Sequence, residues 1–254
     1  MDKVEQLNAA RSGARSPNTR LARMAPWLAA LVLVACGGGA EPAAGPAPGH
    51  WSVLGSSTAA GVGATPGRAW VTQLADALRP RGLAVHNLAA SGALTHQALP
   101  PGQPRPDGRP ATDPARNLAL VLAGRPAVVL LAFPSNDALA GYPAAETAEN
   151  LLSMRDLARR EGVPVILLSS QPRNDASAPA REAMQATDAA LQAAAGDCFV
   201  DLRLALSDPG GGIATAYSAG DGVHLNDAGH ALVFERVWAV VTSGRCVSVP
   251  APAR

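Results

Sequence analysis

Short apolar runs rich in Val, Leu and Ile alternate along this chain with segments whose apolar residues recur every three or four positions. The runs that predict strands lie at residues 52–54, 83–88, 126–133, 164–169 and, more weakly, 198–202. The segments that predict helices lie at residues 69–78, 114–123, 144–160, 179–194 and 227–242. Strands that alternate with helices in this way form parallel sheets. The third and fourth runs are apolar on both faces, so the predicted α/β fold is a three-layer α/β/α sandwich around a five-stranded parallel sheet.

The composition fits one folded domain. The chain has 254 residues, of which 48% are hydrophobic and 16% charged, enough to bury a full-sized core. Its 21 Lys and Arg nearly balance its 20 Asp and Glu, and the net charge of +1 gives no strong positive field. Because binding to nucleic acid relies on such a field, we expect no nucleic-acid partner.

The N-terminal segment predicts export. An apolar run at residues 25–35 follows five basic residues, and as a helix it would rise only about 16 Å, roughly half the hydrocarbon core of a bilayer. This order is typical of a secretory signal rather than a transmembrane span. The sequence LVACG at residues 33–37 resembles the lipobox of bacterial lipoproteins, in which the Cys, here Cys36, is acylated and becomes the first mature residue. An ordinary cleaved signal, an uncleaved anchor and a start at Met24 are the alternatives.

These features divide the chain into four parts. Residues 1–35 form the predicted lipoprotein signal peptide, and residues 36–49 form a flexible tether of mainly Gly, Ala and Pro. Residues 50–246 form the folded domain, and residues 247–254 form a tail. The protein is therefore predicted to be a bacterial membrane lipoprotein that faces the periplasm or the cell exterior, attached to the membrane through lipid on Cys36.

Two cysteines remain for the folded domain. An exported chain meets an oxidising compartment, in which Cys198 and Cys246 form an even pair. Cys198 opens the fifth predicted strand, and Cys246 follows a predicted helix that runs back toward the same edge of the sheet. We therefore expect a disulfide, with two buried free thiols as the alternative.

Hydroxyl and imidazole groups occur where parallel sheets place their ligand sites, after the carboxyl ends of the strands. Ser57 follows the first predicted strand at a turn into a helix. Asp221 precedes His224 by three residues, a spacing at which a carboxylate can hold an imidazole in one tautomer. Asp227 and His230 have the same spacing, but they begin the last predicted helix, where Asp is a common cap and His is often exposed. Spacing leaves the two pairs tied, and the loop position favours His224.

Other polar residues have simpler interpretations. The five histidines are scattered along the chain without an HExxH motif or paired Cys and His spacing, so we expect neither a metal nor another cofactor. His96 is interpreted as an exposed loop residue. The segments at residues 99–116 and 171–178 are predicted to be surface loops that shape access to substrate.

Four short motifs, in order along residues 50–242, resemble those of the SGNH hydrolases, a branch of the GDSL esterase and lipase family. They are GSSTAAG at residues 55–61, NLAASG at residues 87–92, PSND at residues 134–137 and DGVH at residues 221–224. The Leu-Asn-x-x-Gly-His sequence that follows the last motif is also similar to the family. The resemblance selects His224 rather than His230, and it implies a flavodoxin-like sheet.

The resemblance also implies a role for each residue that matches a motif. Ser57, His224 and Asp221 correspond to a catalytic triad. The oxyanion hole corresponds to the backbone N–H groups of Ser57 and Gly92 and the side-chain amide of Asn136.

Two positions depart from the family pattern. Ser56 stands where the Asp of the GDS motif usually lies, but that Asp mainly supports the site, and GSS variants keep the nucleophile. Pro134 replaces the Gly of GxND, which fixes φ and removes a backbone donor at the start of the loop that carries Asn136. We therefore expect Pro134 to alter the oxyanion geometry.

The function implied by the resemblance is that of an exported serine esterase. It would hydrolyse carboxylic (acyl) esters through an acyl-enzyme, with a small-molecule, lipid or glycan acyl ester as substrate. One alternative is an O-acetyltransferase or deacetylase that acts on envelope polysaccharide through the same serine. The other is a lipoprotein that only binds acyl ligands, which the presence of all three triad residues disfavours.

Overall fold

The computed structural model describes residues 49–133 and 135–252. The predicted signal peptide, the lipidation site Cys36 and nearly all of the tether lie outside these ranges, and so does Pro134. The effect expected from Pro134 therefore stays a prediction. No helix within these ranges is both long enough and apolar enough to cross a membrane.

Five strands form one sheet in the described part of the chain. They are β1 (His50–Gly55), β2 (Ala84–Asn87), β3 (Val128–Ala132), β4 (Val165–Leu168) and β5 (Phe199–Val200), and each begins and ends within two residues of its predicted run. The strand order is β2-β1-β3-β4-β5, and every neighbouring pair is parallel. This order is the flavodoxin-like one. The predicted five-stranded parallel sheet is therefore confirmed.

Long and very short helices connect each of the first four strands to the next and follow the last one. The longer ones are α2 (Trp70–Leu78), α4 (Leu118–Ala123), α6 (Ala144–Arg160), α7 (Ala178–Ala195) and α9 (Asp227–Thr242), which correspond to the five predicted helices. One-turn helices are α1 (Ser57–Ala60), α3 (Thr95–Ala98), α5 (Asn136–Leu139) and α8 (Arg203–Leu206). Each one-turn helix lies between the end of a strand and the next long helix, so the loops at the carboxyl edge of the sheet are partly helical.

Helices cover both faces of the sheet. Apolar side chains of α2 and α9 pack against one set of strand residues, which includes Val53 and Leu130. Those of α4, α6 and α7 pack against the alternate set, which includes Leu54 and Val129. Because successive side chains of a strand point to opposite faces, both faces of each central strand are buried. The predicted three-layer sandwich is confirmed.

Two predicted boundaries are wrong. Helix α4 begins at Leu118 rather than at residue 114, because the Asn117 side chain caps it by accepting the N–H of Leu120 at 3.0 Å. The predicted tail also starts too early. Val247 is only 4% exposed and belongs to the same apolar cluster as α2 and α9, so the packed domain extends past residue 246.

A disulfide joins Cys198 to Cys246, whose Cα atoms lie 4.9 Å apart. Cys198 ends a 3-10 turn directly before β5, which is an edge strand, and Cys246 follows α9. The bond therefore ties the C-terminal segment to the edge of the sheet.

Candidate active site

The turn after β1 places Ser57 at the carboxyl edge of the sheet. β1 ends at Gly55, where an added Cβ would lie 2.6 Å from the carbonyl oxygen of Ala132 on the neighbouring strand. Glycine is therefore required for this close approach. The N–H of Ser56 donates to the same carbonyl at 3.0 Å. Ser57 follows as the first residue of α1, and it is half-buried.

The loops after β2 and β3 bring Gly92 and Asn136 together. The N–H of Ala90 donates to the carbonyl of Gly55 at 3.1 Å, which fixes the start of the β2 loop against β1. Gly92 has a φ of 76°, in the left-handed region that favours glycine. Asn136 is the first residue of α5, and its Nδ2 donates to the carbonyl of Ala93 at 3.0 Å. The side-chain amide therefore lies next to the backbone that carries Gly92.

Asp221 and His224 form a hydrogen-bonded pair in the loop before α9. His224 Nδ1 lies 2.6 Å from Asp221 Oδ2, and Asp221 Oδ1 accepts the backbone N–H of His224 at 2.8 Å. These hydrogen bonds, the backbone one first, hold the pKa of Asp221 well below its usual range, so the carboxylate is ionised. An ionised carboxylate only accepts hydrogen bonds. His224 Nδ1 therefore carries the imidazole proton, and Nε2 has the free lone pair of a base.

His230 is a buried structural residue, and the expectation of an exposed side chain is wrong. Its Nε2 donates to the carbonyl of Val62 at 3.1 Å, and its Nδ1 accepts the N–H of Trp70 at 3.4 Å. Burial lowers the pKa of His230, which keeps the imidazole neutral. Asp227 binds elsewhere, because its two carboxylate oxygens accept the N–H and the hydroxyl of Thr65, each at 2.7 Å. The two Asp-x-x-His sequences thus differ in structure, and only the first forms a carboxylate–imidazole pair.

The chain after α1 contacts the loop that carries His224. Gly63 has a φ of 92°, and an added Cβ would collide with the carbonyl of Leu225 and lie 3.2 Å from His224 Cβ. One residue earlier, the N–H of Val62 donates to the carbonyl of Ser57 at 3.0 Å. Gly63 therefore lets the serine turn and the histidine loop pack directly together. The sequence analysis does not predict Gly63 as a site residue. The feature that could have pointed to it is its place in the Gly-Val-Gly sequence after α1.

His96 lies in a buried polar cluster, so its interpretation as an exposed residue is wrong. The residue is 2% exposed, and its Nε2 lies 2.7 Å from Glu146 Oε1. Arg109 donates to Glu146 Oε2 at 2.9 Å, and hydrogen bonding to Arg109 lowers the pKa of Glu146 to about 2. Arg109 belongs to the long loop at residues 99–116, so the cluster fixes this loop to α6. Among the described residues, these included, no group of three or more His, Cys, Asp or Glu side chains is arranged to hold a metal ion.

The sequence predicts that residues 171–178 form a surface loop, but part of this segment is buried. Gln171 is 3% exposed and hydrogen-bonds to two of the loops described above. Arg173 donates to the Oδ1 of Asn136 at 3.3 Å. Neither residue is among the predicted site residues, because the four motifs do not include this segment.

A cavity of about 100 Å³ lies beside Gly92. Its apolar lining residues are Leu54, Leu88, Ala90, Ala93, Ala98 and Phe133. Its polar lining residues are Ser91, Gln97, Asp113 and Arg116. A single water molecule needs about 10–15 Å³ of such space, so the cavity suits a chain of only several atoms.

Together, the fold and the site define a class of protein: a flavodoxin-like α/β enzyme with a serine, a histidine–aspartate pair and an amide on neighbouring loops at the carboxyl edge of its sheet. The model of the GDSL-like lipase/acylhydrolase family matches residues 53–232, and the chain belongs to this family. The predicted resemblance to SGNH hydrolases is thereby confirmed.

Individual relatives agree with this assignment. Esterase TesA of Pseudomonas aeruginosa is 29% identical over 188 residues, which cover 73% of this chain and 84% of TesA. A crystal structure of TesA aligns with a TM-score of 0.58 at 25% identity, covering 75% of this chain and 97% of that one. The psychrotrophic esterase EstA from Pseudoalteromonas sp. shares the fold, with a TM-score of 0.55 at 17% identity and coverage of 76% and 97%. The chain is a carboxylic ester hydrolase of the GDSL type.

Proposed function

We propose that this chain is an exported serine esterase in which Ser57 is the nucleophile, His224 the general base and Asp221 the residue that orients the base. The observation that carries the proposal is the 2.6 Å contact between His224 Nδ1 and Asp221 Oδ2. In the neutral imidazole this contact places the proton on Nδ1 and the lone pair on Nε2, on a loop that packs against the serine turn. His230 lacks such a carboxylate partner, and both of its ring nitrogens bind backbone groups.

The proposed reaction has two halves. In the first, His224 Nε2 takes the hydroxyl proton while Ser57 Oγ attacks the ester carbonyl, and Asp221 stabilises the imidazolium. The tetrahedral intermediate then collapses, the alcohol leaves with the proton from His224, and the acyl group stays on Ser57 Oγ. In the second half, the same imidazole takes a proton from water, which attacks the acyl-enzyme. The second tetrahedral intermediate then collapses, Ser57 Oγ leaves with the proton from His224, and the carboxylic acid is released.

Three donors are proposed to stabilise the negative charge on the tetrahedral intermediate. They are the backbone N–H groups of Ser57 and Gly92 and the Nδ2 of Asn136. The hydrogen bond from Asn136 to the carbonyl of Ala93 supports this assignment, because it holds the amide next to Gly92. Donors placed in advance of the reaction stabilise developing charge without reorganisation.

The cavity beside Gly92 is the proposed site of the acyl chain. Its volume of about 100 Å³ is well below the roughly 300–1,000 Å³ of pockets that hold drug-sized ligands. Its walls are mainly apolar, which suits a hydrocarbon chain. We therefore expect short acyl esters, such as acetate and butyrate, to be better substrates than octanoate.

Hydrolysis of p-nitrophenyl acetate, butyrate and octanoate tests the proposal. We expect Ser57→Ala and His224→Ala to abolish hydrolysis, and His230→Gln to stay within about tenfold of the parent at a temperature where it is folded. Survival of activity in Ser57→Ala would contradict the proposed nucleophile. A parent that is inactive on all three esters would indicate a protein that binds acyl ligands without turnover. Acyl turnover that becomes faster when a sugar is added would indicate an acyltransferase.

Export and lipidation are part of the proposal. The lipobox-like sequence around Cys36 supports them, and so does the disulfide, since disulfides persist mainly in oxidising compartments. In bacterial cells, the parent is expected in the membrane fraction with labelled fatty acid attached, and Cys36→Ser is expected to lose the label. A parent that carries no lipid would contradict this part of the proposal and leave the esterase assignment unaffected.

A further inference from the structure

The loop after β4, here called the β4 loop (residues 169–177), contacts three of the loops that carry proposed catalytic residues. Gln171 binds both the serine turn and the histidine loop, and Arg173 binds Asn136. Asn174 donates its backbone N–H to the carbonyl of Gly222, the residue after Asp221, at 2.8 Å. None of the four family-like motifs lies in this loop.

Gln171 connects the neighbours of the nucleophile and the base. The hydroxyl of Thr58, next to Ser57, donates to Gln171 Oε1 at 2.6 Å, and Gln171 Nε2 donates to the carbonyl of Val223, next to His224, at 2.7 Å. A backbone carbonyl only accepts hydrogen bonds, so the orientation of the Gln171 amide is fixed. Gln171 is 3% exposed, and its bond to Thr58 is buried, which shields that bond from competing water.

Arg173 determines which way the Asn136 amide faces. Its Nη1 donates to Asn136 Oδ1 at 3.3 Å, while the Nδ2 of Asn136 donates to the carbonyl of Ala93 at 3.0 Å. A guanidinium has no acceptor and a carbonyl has no donor, so a reversed amide would lose both bonds. Asp175 holds Arg173 in turn, with hydrogen bonds of 2.8 and 2.7 Å. The N–H groups of Asn136 are therefore kept on the side of Gly92.

We propose that Gln171 and Arg173 are positioning residues for ester hydrolysis. Gln171 keeps the histidine loop in register with the serine turn, and Arg173 keeps the amide donor of Asn136 directed toward the oxyanion. This inference rests on the proposed function, because it requires Ser57, His224 and Asn136 to act as assigned there. Neither residue needs to touch the substrate.

The test of Arg173 compares two arginines in matched settings. Arg173 and Arg155 each have a side chain 12% exposed and an aspartate partner, Asp175 and Asp156, about half exposed. We expect Arg173→Met to lower kcat at least tenfold with KM within threefold of the parent, because the lost effect belongs to the transition state. Arg155→Met removes an equivalent charge far from the site, on α6, and should leave kcat within twofold. Equal kcat values in the two variants would overturn the role of Arg173.

A double-mutant cycle shows whether Arg173 acts through Asn136. Removing an oxyanion donor typically lowers kcat about 10²–10³-fold, and Asn136→Ala is expected to do so. In that background, adding Arg173→Met should change kcat less than threefold, because no amide remains to be oriented. Effects that multiply would contradict the proposed route. If Asn136→Ala itself retained full activity, the oxyanion assignment in the proposed function would fail instead.

Gln171 is tested by the reactivity of Ser57 with a fluorophosphonate. Gln171→Met keeps a similar side-chain length and loses both hydrogen bonds. We expect the rate of phosphonylation and kcat both to fall at least tenfold, and by similar factors, when each is expressed per titratable active site. Thr58→Val removes only one of the bonds while keeping the side-chain shape, and it serves if Gln171→Met does not fold. A lower Tm with unchanged rates per active site would mean that the β4 loop is only a structural support.

Discussion

His224 and His230 each follow an aspartate by three residues, and their contacts determine what each can do. His224 bonds through Nδ1 to Asp221 and keeps Nε2 available for a proton. His230 uses Nε2 to bind the carbonyl of Val62 and Nδ1 to accept the N–H of Trp70. The first is therefore suited to proton transfer, whereas the second connects the start of α9 to the chain between α1 and α2.

The buried imidazole of His230 has a consequence for stability. Burial lowers its pKa in the folded protein. As the pH falls through about 6.5, the imidazole of the unfolded chain therefore binds a proton while that of the folded protein does not. The free energy of unfolding should therefore fall as the pH drops below about 6.5, until the lowered pKa of the folded state is reached. His230→Gln should be less stable than the parent at pH 8. Because Gln does not titrate, the difference in unfolding free energy between the two proteins should become smaller as the pH falls.

Urea unfolding of the parent and His230→Gln at several pH values measures this difference. The two curves of unfolding free energy against pH should differ in slope by at most about 1.4 kcal/mol per pH unit, the limit for one proton. His50, whose pKa is also lowered by burial, titrates in both proteins and cancels in the comparison. Parallel curves would mean that His230 has the same pKa in the folded and unfolded states, which would contradict the predicted effect of burial.

The site residues that the sequence predicts are those whose position follows from local order. Ser57 and Asn136 each begin a one-turn helix just after a strand, and the Asp221–His224 pair is a four-residue motif. Gln171 and His96 could not be found in this way. Their hydrogen-bond partners lie 113 and 50 residues away in the sequence, so their burial depends on tertiary packing.

At the scale of elements, strands and long helices were predictable because their hydrophobic periodicity is set by the sheet and its two helical layers. The start of α4 was not, because a single side-chain cap at Asn117 decides it. The packing of the two long loops does not follow from the sequence for a similar reason. The side chains of Arg109 and Gln171 fasten them to the core, and composition alone does not reveal such contacts.

The loop between β2 and α3 sets the size of the proposed acyl site. Leu88 lines the cavity and is only half-buried, so Leu88→Ala should enlarge the cavity at a moderate cost in stability. Because each added methylene in an apolar pocket contributes roughly 0.8 kcal/mol, the ratio of kcat/KM for octanoate to that for acetate should rise about tenfold or more. Kinetics with the three p-nitrophenyl esters measure this ratio.

Leu122→Ala is the matched control for this prediction. Leu122 is also half-buried and packs against the same apolar cluster, but it does not line the cavity. It should lose stability and keep the chain-length preference of the parent. An unchanged ratio in both variants would place the acyl chain elsewhere.

In the whole molecule, two apolar clusters on opposite faces of the sheet form most of the core. β5 is the most weakly held strand of the sheet. This strand has two residues and lies at an edge, so few hydrogen bonds hold it. The disulfide between Cys198 and Cys246 joins this edge to the segment after α9. A covalent bond at this position offsets the small contribution of the short strand.

The disulfide should therefore contribute strongly to stability. Closing a loop across 48 residues is expected to add about 4 kcal/mol to the free energy of unfolding. Urea unfolding of the parent with and without reductant measures this contribution, and the double variant Cys198→Ser, Cys246→Ser should match the reduced parent. Equal stability of the oxidised parent and the double variant would contradict this prediction.

If Ser57 forms a covalent acyl intermediate, a fluorophosphonate, whose phosphorus reacts with the serine nucleophile in place of the ester carbonyl, should modify it. Mass spectrometry of the labelled protein should find one adduct, on Ser57, together with loss of hydrolysis. Ser56→Ala, which alters the buried neighbouring serine, should label as the parent does, and Ser57→Ala should not label at all. An adduct on another residue, or hydrolysis that persists after Ser57 is fully modified, would contradict the assignment of Ser57 as the nucleophile.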